Sequence, residues 1–172
     1  MIELKVQPLD EKRILISGIP PVLATVLHEI PEILELRDAP EARARLHPDP
    51  TADNDSFNRE WRQMAGPELR HLFVSAGETV GRDLTAMAVA GESGDAYQVA
   101  FPIEHVPAWM SALNQTRLIL GEIHKIDEAE MNRTDFDPQS ARHLAALRIH
   151  LLGYLLHRFV QLEGGDEPED DI

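Results

Sequence analysis

The stretch "AWMSALNQTRLILGEIHKID", residues 108–127, decides the fold class. Read at 3.6 residues per turn, Trp109, Ala112, Leu113, Leu120 and Ile123 share one stripe. That is the pattern of a helix with one face in a core. Beside the stripe stand Asn114, Arg117 and Gly121. Asn114 and Arg117 are three apart and so are surface neighbours on a helix. Together they offer donors and an amide acceptor to a backbone terminus or a carboxylate. A glycine inside a helix costs about 1 kcal/mol relative to alanine, so Gly121 is expected where another helix approaches closely. Two readings follow, a packed helix joint with internal hydrogen bonds or a ligand site. A fully paired Arg117 guanidinium means the joint. An open one lining a pocket means the ligand.

The same helical period recurs on both sides. "PPVLATVLHEIPEILEL" (20–36) reads as a helix opened by its proline pair, with Pro31 expected to kink or divide it. "DAPEARARLHP" (38–48) reads as a short helix capped by Asp38 with Glu41 three residues on. "FNREWRQMAG" (57–66) places Phe57, Trp61 and Met64 on one side of a short helix. Gly66 and Pro67 are then expected to open a longer one, 67–89. Asp127 and Glu130 are spaced as a capping box for a single turn, and a last helix runs from Asp137–Pro138 to about Leu162.

Strand patterns are few. "MIELKVQ" (1–7) alternates Ile2, Leu4 and Val6 with polar residues, "RILISG" (13–18) is its return strand, and "AYQVAFPI" (96–103) is a further candidate. The expected fold is therefore mainly α, a compact helical domain over 1–163 with a small N-terminal β-hairpin and room for one further strand. "GGDEPEDDI" (164–172) is read as an acidic, solvated tail.

A chain of 172 residues can bury a core without disulfides or metal. Its net charge of -14 argues against nucleic acid or an anionic membrane as partner, since both need clustered positive charge. It is compatible with basic partners. The absence of cysteine excludes disulfides, thiolate metal sites and a cysteine nucleophile. The N-terminus lacks the apolar run of a signal peptide, so a cytoplasmic protein is expected.

His143, His150 and His157 recur every seven residues on the last helix, with Tyr154 beside them. Residues seven apart are about 10 Å apart along the axis, so they cannot share one metal. The stripe is read as half-buried histidines at a helix boundary or dimer seam. "DNDSF" (53–57) and "TDFDPQ" (134–139) lack the glycine and the terminal glutamate of a calcium loop, and read as helix starts. "GESG" (91–94) is a turn, and no nucleophile elbow or dinucleotide fingerprint is present. No catalytic residue, metal or cofactor is assigned.

"WMSALNQTRLILG" (109–121) resembles the most characteristic stretch of a bacterial, largely actinobacterial, domain-of-unknown-function family numbered two-zero-one-seven. Trp109, Ala112, Leu113, Asn114, Arg117, Leu118, Leu120 and Gly121 stand at its marker positions. "ARLHPDPTADNDSFNREWRQMAGPELR" (44–70) resembles a second block, with His47 where an aromatic is more usual. The resemblance implies a mainly helical cytoplasmic protein with no assigned activity. It also implies an association with proteolysis or sulfur-carrier metabolism, since members are often encoded near the adaptor of the Clp protease. The expectation is a non-enzymatic protein-binding or regulatory module, a homodimer being one form it takes. The alternative is an anionic-ligand binder or enzyme using Asn114 and Arg117 with a histidine of the last helix. The candidate polar cluster is Asn114, Arg117, Gly121, His150 and Tyr154.

Overall fold

The computed structural model describes residues 3–164. Strand β1 (Lys5–Pro8) and strand β2 (Arg13–Ile19) form the expected hairpin, in register from Lys5 opposite Ser17 to Pro8 opposite Ile14. Asp10 in the turn accepts from the Lys12 backbone N–H and the Arg13 side chain, at 2.9 and 2.8 Å. Ile2 and the tail from 165 to 172 lie outside the described residues.

The sheet has four strands among the described residues, all antiparallel, in the order β1-β2-β4-β3. Strand β4 (Ala96–Pro102) was expected, and strand β3 (Ala88–Ala90) was not. The helix predicted to reach residue 89 ends at Leu84, and Ala88–Ala90 turns back on β4 as a hairpin. Gly91 and Gly94 have φ of 78° and 71°, a region that costs glycine little. Gly18 (φ 66°) sits at a register shift between β2 and β4, which lets Ile14, Ile16 and Ile19 all stay buried.

Helix α1 (Pro21–Leu34) keeps Pro31 inside it without dividing, because Leu27, Ile30, Ile33 and Leu34 are all buried on one face. A 3-10 turn follows, and then helix α2 (Pro40–Leu46). Asp38 does not cap α2: Ala39 is its N-cap, and the Asp38 carboxylate accepts from Arg70 at 2.6 Å. That bond holds the carboxyl below its ordinary range.

Helix α3 (Asp55–Leu84) joins the two helices expected on either side of Gly66–Pro67. Pro67 removes one helical donor, but the carbonyl four residues back belongs to exposed Gln63, where water can serve it. Asn54 caps α3 by accepting from the Phe57 N–H at 3.0 Å. Buried Asn58 fastens the preceding loop through three hydrogen bonds with Thr51.

Helix α4 (Val106–Ile123) is the opening stretch, and it packs on α1, α2, α3 and helix α6 (Ala141–Gly164). Its Trp109 is fully buried, stacked on Phe101 at 4.8 Å and near Phe159 at 6.0 Å. Such aromatic contacts add to plain area burial. The short helix α5 (Glu128–Met131) is capped by Asp127, which accepts from the Glu130 N–H at 2.8 Å. The reciprocal half of the capping box is missing, since the Glu130 carboxylate turns to Arg133 and Arg142. Among the described residues no helix is long and apolar enough to cross a membrane.

Candidate functional site

Three of the five singled-out residues converge. Asn114, Arg117 and Gly121 line one side of a pocket of about 280 Å³ on α4. Leu118, Ile126, Met131 and Ile149 supply apolar walls. Arg45 and Glu122 stand at it too, 3.8 Å apart as an exposed ion pair.

Arg117 makes no ion pair or side-chain hydrogen bond with any other described residue, and its Nε is buried without a partner. What it rests on is a glycine. A Cβ at Gly153 would lie 3.2 Å from Arg117 Nε and 3.3 Å from both Cζ and Nη2. Three atoms of one planar group at nearly equal distance from one point mean that the guanidinium lies flat on α6. The close helix approach expected at Gly121 therefore falls at Gly153. At Gly121 an added Cβ meets no atom of the other described residues within 4 Å.

His150 and Tyr154 do not join this pocket. His150 Nε2 lies 2.9 Å from the Met131 carbonyl and so donates to it, and the side chain lines a different pocket beyond α5. Tyr154 is half-exposed, accepts from Arg158 at 2.8 Å and carries that guanidinium over its ring. The histidine stripe divides in the same way. His143 is largely covered, accepts through Nδ1 from the Asp137 N–H at 2.9 Å and faces Glu130 at 3.9 Å. His150 and His157 are exposed, so the half-buried seam expected of all three holds only at His143. Among the described residues no three metal-binding side chains converge.

A second surface lies on α3. Phe57, Trp61, Met64 and Leu72 are exposed, Met64 by 81% and Trp61 by 43%. The sequence places the first three on one side. The structure leaves that side facing solvent, and Asn58 alone is buried between residues 55 and 72. At about 100° per residue, Glu68 falls inside this ridge and Glu60 and His71 on its flank. Arg59, Arg62 and Arg70 fall about 120° or more away. Two of these are tied back to the body, Arg62 to Asp49 at 3.0 Å and Arg70 to Asp38 at 2.6 Å.

The profile of a family described as a domain of unknown function (DUF2017) matches residues 9–162. The chain belongs to the DUF2017 family. No curated protein and no solved structure matches it. The DUF2017 match spans both surfaces, the α3 ridge and the Arg117 pocket.

One cluster was missed by sequence reasoning. Asp83, with a side chain only 9% exposed, accepts from Trp109 Nε1 at 2.9 Å. It also meets His105 Nδ1 at 2.9 and 3.0 Å. The three residues come from two helices and the turn before the second, so no local spacing announces them. The cluster gives the buried indole N–H its partner, and its carboxylate fixes the outward-facing imidazole.

Proposed function

We propose that this protein is a non-enzymatic binding module that docks a basic amphipathic helix of a partner protein on the α3 ridge. One observation carries the reading: Phe57, Trp61, Met64 and Leu72 are exposed together on a stretch of about five turns that buries a single residue. Large apolar side chains grouped on a surface mark interaction sites. A helical stretch so little packed, with Gly66 and Pro67 in its middle, gains stability when a partner covers it.

The charge pattern supports a basic partner. Glu60 and Glu68 accompany the ridge, its arginines point elsewhere, and the whole chain carries -14. A second copy would set glutamate against glutamate, whereas a helix with lysines or arginines beside an apolar stripe meets both needs. Homodimerisation is thus the less favoured form of the same reading.

The test is fluorescence anisotropy with three labelled peptides: a leucine/lysine amphipathic helix, its leucine/glutamate twin, and a shuffled lysine peptide of equal charge. Binding of the first alone, lost in Met64→Asp, supports docking on the ridge. Equal binding of the shuffled peptide reduces the effect to bulk charge and defeats the proposal. So does a dimer in sedimentation that Met64→Asp dissociates.

A further inference from the structure

We infer that the Arg117 pocket is a binding site for a small aliphatic monocarboxylate, separate from the α3 ridge and sharing no residue with it. The chain places a cation here and then leaves it without a counter-charge. Arg117 is half-buried, its Nε has lost water without gaining an acceptor, and no described carboxylate pairs with it. Leaving a buried donor unsatisfied is costly, so such groups call for an explanation. A structural arginine at a helix joint meets a carbonyl or a carboxylate of the joint. Arg117 meets the flat backbone face of Gly153, which holds the plane of the guanidinium without using any of its N–H groups. Arg117 is also one of the residues that line the pocket.

A guanidinium held in one plane suits the two coplanar oxygens of a carboxylate, with two parallel N–H···O bonds. Asn114, exposed on the same wall, has an amide to add. Charge at the pocket favours a monoanion over a more highly charged one. Arg45 is occupied by Glu122, and Glu122 itself repels a dianion such as phosphate. The far walls, Leu118, Ile126, Met131 and Ile149, suit a short branched hydrocarbon. The volume, about 280 Å³, limits the ligand to a compact one. Gly121 on the wall leaves its position open to the ligand, since among the described residues nothing lies within 4 Å of where a side chain would begin.

The experiment is a ¹H–¹³C methyl NMR titration of the full chain with 3-methylbutanoate, 3-methylbutan-1-ol and inorganic phosphate, repeated on Arg117→Met and Arg117→Lys. Saturable shifts at Leu118, Ile126, Met131 and Ile149 are expected with the carboxylate, with a Kd on the order of 1 mM. The alcohol and phosphate are expected to bind at least about tenfold more weakly. Arg117→Met should abolish the shifts and Arg117→Lys weaken them, since lysine keeps the charge and loses the fork. Equal binding of the alcohol would reduce the site to an apolar hollow, and tighter binding of phosphate to a general anion patch. Either result overturns the assignment, as does carboxylate binding that survives Arg117→Met in a folded variant, or no saturable shift at all.

Discussion

The guanidinium of Arg117 lies flat against Gly153 of α6, with three of its atoms within 3.3 Å of the place a Cβ would occupy. The contact fixes both the orientation of the arginine and the identity of residue 153. In Gly153→Ala the new methyl pushes the guanidinium outward, and the open pocket gives it room to move. The helix gains up to about 1 kcal/mol from alanine and loses a similar amount to the contact, so thermal stability should barely change. Carboxylate binding, measured by the same methyl titration, should fall.

Glycines elsewhere separate by what stands over them. Gly121→Ala meets no atom within 4 Å among the described residues and should raise stability by about 0.5–1 kcal/mol through helix propensity. Gly77→Ala places a methyl 2.8 Å from Leu34 Cδ1, a buried side chain with nowhere to go. It should lose about 1–3 kcal/mol by overpacking. Urea unfolding of the two variants against the parent checks both signs.

Asp83 holds the fully buried Trp109 through its indole N–H. Asp83→Ala strands that donor and should cost about 1–3 kcal/mol. Asp83→Asn, whose amide oxygen still accepts, should recover part of the loss in the same unfolding assay.

Acid should weaken the fold in a window set by two histidines. Burial holds the His47 pKa below its ordinary 6.5, with Arg43 adding to the effect. Burial does the same for His124, helped by Arg148. The unfolded chain then takes up protons near pH 6.5 that the folded chain refuses. Stability from these groups is full above that pH and falls as pH drops through it, until the lower folded pKa is reached. Chemical denaturation from pH 8 to pH 5 should show this decline, and His47→Gln with His124→Gln should flatten it.

Much of this was legible in the sequence, and the failures have a common cause. The Trp109 stripe gave the central helix because its period is local. Asn114, Arg117 and Gly121 were recognisable as odd residues on that helix for the same reason. Gly153, inside the apolar run "HLLGYLL", carries no such mark, since its role depends on an arginine 36 positions earlier. Gly66–Pro67 reads as a break because both residues disfavour helix, yet capping at Asn54 and packing beyond Ala76 carry α3 through. Strand β3 is three residues long, too short for alternation, although the Gly91 and Gly94 turn before β4 was a hairpin signal. The seven-residue spacing that singles out His150 is a property of α6 alone and does not say which side of that helix meets Arg117. The one-turn helix α5 stands between them, with Met131 lining the Arg117 pocket and Glu130 the other.

The exposed ridge should be nearly neutral for folding. Met64→Asp removes a side chain that is 81% exposed, and thermal unfolding should change by no more than about 0.5 kcal/mol. A larger loss would mean that the ridge is covered within the chain itself.

Amide hydrogen exchange along α3, with and without the leucine/lysine helical peptide, tests the binding role most directly. In the free protein, residues 55–72 should exchange much faster than 76–84, where Ala76, Val80 and Leu84 are buried. The peptide should slow exchange over 55–72 and leave Met64→Asp unprotected. Fast exchange over 55–72 unchanged by saturating peptide, or protection arising elsewhere on the chain, would contradict docking on the α3 ridge.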